Sequence, residues 1–236
     1  MIKLVTLDLD NTLWDADPII FKAHRDMVSW LTERMPESAP HLQDDTWRSL
    51  RHRIVNERQD IAHHPTEIRK AMLRHALAPL PLSEQQRETL VEDAFAIFHE
   101  GRNQVLPFPE AIELLQYLQA HVPVIAITNG NSDLERIGIA QYFKAVVSAE
   151  SAGVAKPHPD IFRQALQLVE GVTPQEALHV GDHTEEDIEA SRALGFQTIW
   201  INLSRKEKPL HCHPDQVVHS SAELLAAIRE RVPGKK

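Results

Sequence analysis

The chain has 236 residues, with 25 lysines and arginines against 34 aspartates and glutamates, a formal charge of −9. A scattered acidic balance of this kind argues against non-specific nucleic-acid binding, and no apolar run approaches the ~20 residues of a membrane span. A single cysteine, Cys212, excludes an intrachain disulfide, which fits a reducing compartment. Met1 leads straight into IKLVTLDL without the basic and long apolar regions of a secretory leader, so a cytoplasmic location is expected.

In chain order, Lys3–Leu9 reads as a buried strand that ends in two acids, Asp8 and Asp10, within LDLDNTLW. An unpaired buried carboxylate is expensive, so its charge must be compensated or used. Residues two apart on a strand point the same way, which lets Asp8 and Asp10 face one site. From residue 15 to residue 106 the pattern is helical throughout: Ile20, Ala23, Met27 and Trp30 recur at helical spacing, and prolines at 36, 40, 65, 79 and 81 punctuate the segment. It is expected to form an inserted helical domain (15–106), with 1–14 and 107–236 forming the sheet domain that PFPE (Pro107–Glu110) re-enters.

Beyond that point strands and helices alternate. Val122–Thr128, Ala177–Val180 and Gln197–Ile201 read as strands, and Lys144–Ser148 as a weaker one. Helical faces carry Ile112, Leu115 and Leu118, then Ile161, Phe162, Ala165, Leu166 and Val169. Apolar strands alternating with amphipathic helices predict a doubly wound α/β fold on a parallel sheet. The terminal PGKK is expected to fray.

Open α/β sheets bind ligands beyond the carboxyl ends of their strands, and the remaining polar signals fall there. Thr128, followed by Asn129 and Gly130, ends one strand; Asp182 follows LHVG, with Asp187 five residues later; Lys156 lies in the loop GVAKPHPD. This ordered set, DLDNT, then TNG, then a lysine before proline, then GDHTEED, resembles the haloacid dehalogenase-like hydrolase superfamily, and the helical insert resembles its cap. The resemblance implies a phosphomonoesterase in which Asp8 is the nucleophile and Asp10 the proton donor and base. It implies that Mg2+ is held by Asp8, the Asp10 carbonyl and Asp182, with Asp187 supporting the metal shell or Lys156. Thr128, Asn129 and Lys156 would hold the phosphate of a small phosphorylated metabolite. True dehalogenases lack a carboxylate at the Asp10 position, since a halide needs no proton. Asn11 stands where the superfamily more often has Gly and calls for a backbone that Asn tolerates.

Several residues carry an ordinary reading as well. Thr184 and Asp187 can form a T-x-x-D capping box. His211, Cys212 and His213, like His63 and His64, match no standard zinc spacing and read as solvated loop. Trp30 and Trp47 read as packing, whereas Trp14, just after the first motif, is a candidate substrate contact. At a finer level the DLDNTLWDA opening, helical cap and TNGN look similar to bacterial phosphatases of flavin mononucleotide and the riboflavin precursor 5-amino-6-(5-phospho-D-ribitylamino)uracil. His24, Arg25, Arg48 and Arg51 could then bind ribityl or ring oxygens, and a solvated helix face explains them equally. Sugar phosphates, nucleoside monophosphates, a mutase and a silent binding protein on the same scaffold are the alternatives.

Overall fold

The computed structural model describes residues 1–207 and 209–234. Lys235 and Lys236 of the expected frayed end lie outside the described residues. The chain divides into two compact units, Met1–Asp15 with Val105–Lys236, and Ala16–Gln104.

The first unit is a doubly wound α/β fold. Its six-stranded sheet contains β1 (Leu4–Leu7), β2 (Val124–Thr128), β3 (Ala145–Ser148), β4 (Ala177–Gly181), β5 (Gln197–Ile201) and β6 (Gln216–Val218), in the order β3-β2-β1-β4-β5-β6. Every pairing is parallel. All residues of β1, β2 and β4 are buried, which is why these strands read as apolar runs rather than alternations. The chain steps from β1 outward to β3, then returns to the opposite side of β1 with β4. The strand order therefore reverses at β1–β4, and the carboxyl ends of β1, β2 and β4 border the switch point where such sheets bind ligands. Leu4, Ile125, Ile127, Phe162 and Phe196 form one of the unit's cores. The segment QVV is a three-residue edge strand, too short to carry a periodic signal in the sequence. Cys212, expected in a solvated loop, is instead buried with Ile188 and Trp200.

The second unit is helical, with α1 (Asp17–Arg34), α2 (Asp44–Glu57), α3 (Pro65–Leu77) and α4 (Glu84–Arg102). Ala23, Met27 and Leu31 form the buried stripe of α1, and Val91, Ala94 and Phe98 that of α4. Ser83 and Gln86 close a reciprocal capping box at the start of α4. His64, expected in a solvated loop, caps α3 by accepting the Glu67 N–H. The helices of the first unit are α5 (Pro109–His121), α6 (Leu134–Ile137), α7 (Ala149–Ala152), α8 (Pro159–Gln167), α9 (Ala190–Ala193) and α10 (Ser221–Arg231), with a π-helical turn at Thr184–Glu189.

Candidate active site

Asp8 continues β1 past its last paired residue, with its N–H donated to the Val180 carbonyl of β4 at 2.9 Å. Its carboxylate is nearly inaccessible, at 6% exposure, and both oxygens have partners. Thr12 Oγ1 donates to Oδ2 at 3.0 Å and Lys156 Nζ to Oδ1 at 2.6 Å. Burial pushes the Asp8 carboxyl up to about 8; Lys156 pulls it down, and the nearby Asp187 and Asp182 charges add to the rise.

Lys156 spends all three ammonium protons: on Asp8, on Asp187 Oδ1 at 2.6 Å and on the Ile127 carbonyl at 3.1 Å. Burial opposes its charge, but Asp187 and Asp8 outweigh that and hold it above the ordinary lysine range. Burial likewise works against the Asp187 charge. Lys156 and a hydrogen bond from His179 overcome it and keep Asp187 well below the usual carboxylate range. His179, wholly buried in β4, lies 3.3 Å from Asp187 Oδ1 through Nε2 and 2.8 Å from Thr6 Oγ1 through Nδ1. Burial pushes this imidazole down, so it is neutral. An ionised carboxylate only accepts, so Nε2 carries the proton and Nδ1 accepts from Thr6.

The loop that carries Lys156 is fastened by Asn129. Its Nδ2 donates to the Lys156 carbonyl at 3.0 Å and to Glu186 Oε2 at 2.8 Å, while its Oδ1 accepts the Lys156 N–H at 2.7 Å. The Asn129 amide is thus engaged at both ends in positioning Lys156, in contrast to the substrate contact read from the sequence. Thr128 ends β2, and its Oγ1 accepts the Gly130 N–H at 2.9 Å.

Asp182 follows β4 and is half-buried; its backbone carbonyl accepts from Trp200 Nε1 at 2.9 Å. Burial, then the Asp187 charge, pushes its carboxyl up to about 6. Asp8, Asp182 and Asp187 each bring a carboxylate oxygen to within 4.8 Å of the other two. This set has two more carboxylates than ammonium groups, and its donors are hard oxygens, which fits a divalent cation such as Mg2+. Gly181 makes the approach possible, since a Cβ there would overlap the Asp187 carboxylate. Asp187 also accepts the His183 N–H on Oδ2 at 3.0 Å. It therefore reaches back to His183, which caps the π-helical turn, and the T-x-x-D box expected with Thr184 does not form.

Asp10 is half-buried and forms an isolated parallel β-bridge with Trp14 across a tight turn at residues 11–13. Asn11 has φ 63°, the left-handed conformation expected of it. Trp14 Nε1 donates to Asp10 Oδ1 at 2.9 Å, and Ser132 Oγ lies 3.5 Å from the same oxygen. The Trp14 indole has no exposed surface. Packing and the bond to Asp10 engage the ring in this structure. His179 and Thr12 belong to this site without a motif that marks them. A histidine inside the otherwise apolar strand ALHVG was the available signal for the first.

This geometry accompanies clear likenesses to known proteins. Residues 2–195 match the family described as haloacid dehalogenase-like hydrolase. The chain is 29% identical over 200 residues to the 5-amino-6-(5-phospho-D-ribitylamino)uracil phosphatase YigB of Escherichia coli K12, covering 85% of this chain and 83% of the relative. It is 30% identical over 241 residues to a glyceraldehyde 3-phosphate phosphatase of Methanopyrus kandleri, covering 98% of each. A solved structure titled as a 2-haloacid dehalogenase from Pseudomonas syringae pv. tomato superimposes with TM-score 0.90 at 35% identity, over 98% of this chain and 99% of that one.

Proposed function

Because the chain belongs to the haloacid dehalogenase-like hydrolase family, we propose that it is a magnesium-dependent phosphomonoesterase working through an aspartyl-phosphate on Asp8. The observation that carries this reading is the second carboxylate, Asp10, oriented by Trp14 two residues beyond the buried Asp8. A halide leaves without a proton, whereas an alkoxide needs one, so an acid placed beside the nucleophile suits phosphate esters.

An Asp8 oxygen attacks phosphorus in line, and the bond from phosphorus to the alcohol oxygen breaks as Asp10 delivers its proton there. Asp10 then removes a proton from the water that attacks the acyl phosphate, which frees inorganic phosphate and regenerates the Asp8 carboxylate. Lys156 orients Asp8 and holds phosphoryl oxygens as Asp8 is esterified, and Asp187, His179 and Asn129 keep the ammonium in place. Thr128 accepts the Gly130 N–H, so its own hydroxyl proton is directed to phosphate. Asp8, Asp182 and the Asp10 carbonyl would hold Mg2+, with Asp187 beside them; when bound it neutralises charge on the transferred group.

The likeness to YigB supports 5-amino-6-(5-phospho-D-ribitylamino)uracil as a substrate, and the resemblance of the DLDNTLWDA opening and TNGN adds flavin mononucleotide. A smaller phosphorylated metabolite is the second reading. The Methanopyrus relative supports it over nearly the whole chain, and the Trp14 ring proposed for stacking is buried and bonded to Asp10 in this structure. The test is release of phosphate or halide, with Mg2+ and with excess chelator. The panel comprises both flavin-pathway esters, glyceraldehyde 3-phosphate, phosphoglycolate, a nucleoside monophosphate and 2-chloropropionate. Phosphate release that chelator abolishes and Mg2+ restores is expected. Halide release without phosphate release overturns the reading, and conversion to an isomeric phosphate reassigns the chain to a mutase.

A further inference from the structure

All four helices of the second unit contribute to a cluster that the aspartate chemistry does not use. Arg69 of α3 lays its guanidinium over the Phe98 ring of α4, with Cζ 3.4 Å from the centroid. Its Nη1 is shut away from solvent and has no hydrogen-bond partner, and Arg69 makes no ion pair among the described residues. His24 of α1 has the same feature at Nδ1, with its ring 5.3 Å from Trp47 of α2. Arg51 of α2 and Arg102 of α4 act on Arg69 through their charges, and Arg102 is 2% exposed. Burial, then these two guanidinium groups, pushes Arg69 down to about 9. The nearest acid to His24 is Asp44, 3.9 Å from Nε2 and mostly solvated.

A buried donor without an acceptor costs free energy comparable to a lost hydrogen bond, and like charges held together add to the cost. The unpartnered Nη1 of Arg69, held against a ring in the positive field of its neighbours, calls for an acceptor from outside. A guanidinium stacked on a ring keeps its N–H donors in the ring-parallel plane, where the fork matches the two oxygens of a carboxylate or phosphate. We propose that the helical unit carries an oxyanion-binding site centred on Arg69 and charged by Arg51 and Arg102. The oxyanion is of the carboxylate or phosphate class. It comes from the phosphomonoester itself, as a second anionic group, or from a separate small acid; the first source rests on the phosphomonoesterase reading.

The binding arm uses the full chain and a probe without phosphorus. Malonate is titrated by calorimetry against wild type, Arg69→Met and Arg69→Lys, each checked for folding by circular dichroism. Saturable binding by wild type is expected, weakened at least about ten-fold in Arg69→Met and partly restored in Arg69→Lys, the size of one charged hydrogen bond. Arg51→Gln, on an exposed residue, is the second variant and is expected to weaken binding about two- to five-fold through lost charge. The kinetic arm compares kcat/KM for phosphoglycolate with that for flavin mononucleotide. A fall in this ratio of about ten-fold or more in Arg69→Met assigns the oxyanion to the substrate. Malonate binding with an unaltered ratio assigns it to a separate acid. Absence of malonate binding together with an unaltered ratio overturns the site. A wild-type chain that binds malonate through Arg69 but releases no phosphate from any ester defeats the phosphomonoesterase reading alone.

Discussion

Lys156 in the sheet unit donates to two carboxylates and a carbonyl, whereas Arg69 in the helical unit lies against an aromatic ring with Nη1 unpartnered. Lys156 is buried, and Arg69 is half-buried with its Nη1 shut away from solvent. The lysine's cost is offset by its neighbours inside the same fold, so its network is complete and specifies one arrangement of Asp8, Asp187 and His179. The arginine's cost is left standing, and its like-charged neighbours raise it. A network that satisfies itself positions reacting groups before substrate arrives; one that does not is stabilised by whatever anion supplies the missing acceptor. The contrast separates machinery for chemistry from machinery for recognition.

The largest effect should come from the part of the sheet-unit network that reacts. Asp8→Asn retains shape but removes the proposed nucleophile, and phosphate release should fall by at least ~10³-fold, in the range seen when covalent nucleophiles are removed. Circular dichroism and a single-turnover phosphate assay check this, and turnover near the wild-type rate would leave the network without its central role. The cations are compared next. Lys156→Met strands the buried Asp187 charge and removes a donor from Asp8, and urea unfolding should show a loss of roughly 3–5 kcal/mol at pH 7. Arg69→Met strands no carboxylate, and its stability should stay within about 1 kcal/mol of wild type or rise. Equal losses for the two variants would break the comparison. Gly181→Ala is expected to be smaller: its Cβ displaces Asp187, costing about 1–3 kcal/mol of stability by overpacking and shifting Lys156 from Asp8. Serine at this position should behave no better than alanine.

How far each network could be read from the sequence follows the same division. The sheet-unit strands are apolar runs broken by single polar residues at their carboxyl ends, and that pattern needs only a period of two and a strand terminus to interpret. Asp8, Thr128 and Asp182 were legible for this reason, and so was the backbone demand at Asn11. Asn129 and Trp14 were recognisable as part of the site, but what their polar atoms touch depends on loop conformation, which no spacing rule gives. His179 needed its partner Asp187, eight residues away across a π-helical turn. In the helical unit the charged residues recur where any solvated helix face would have them. Arg69 in EIRKAM looks no different from its neighbours until α3 and α4 are packed and Phe98 covers it. Helices signal their apolar stripe clearly, and their polar faces carry no comparable register.

The smallest effect tests whether the helical unit's uncompensated polarity shows in its stability. Burial, then the Arg69 charge, pushes His24 down to about 4, with Asp44 pulling weakly the other way. In the unfolded chain the same imidazole titrates near its ordinary value of 6.5. Between those two pH values the unfolded state binds a proton that the folded state does not, so stability rises with pH across the window. The contribution is fully present above about pH 6.5 and is lost progressively as pH falls toward 4. A shift of this size at full burial corresponds to roughly 3 kcal/mol. Partial access of water to the ring reduces the expected change to about 1–2 kcal/mol. Urea midpoints for wild type and His24→Gln at pH 4.5, 5.5 and 7 measure it, since glutamine cannot titrate and cancels every other group common to the two chains. The difference in stability between the chains should shift toward the variant as pH falls. A difference that stays constant from pH 7 to 4.5 would mean that His24 is solvated, and that the helical unit does not bury this imidazole beside the Arg69 charge.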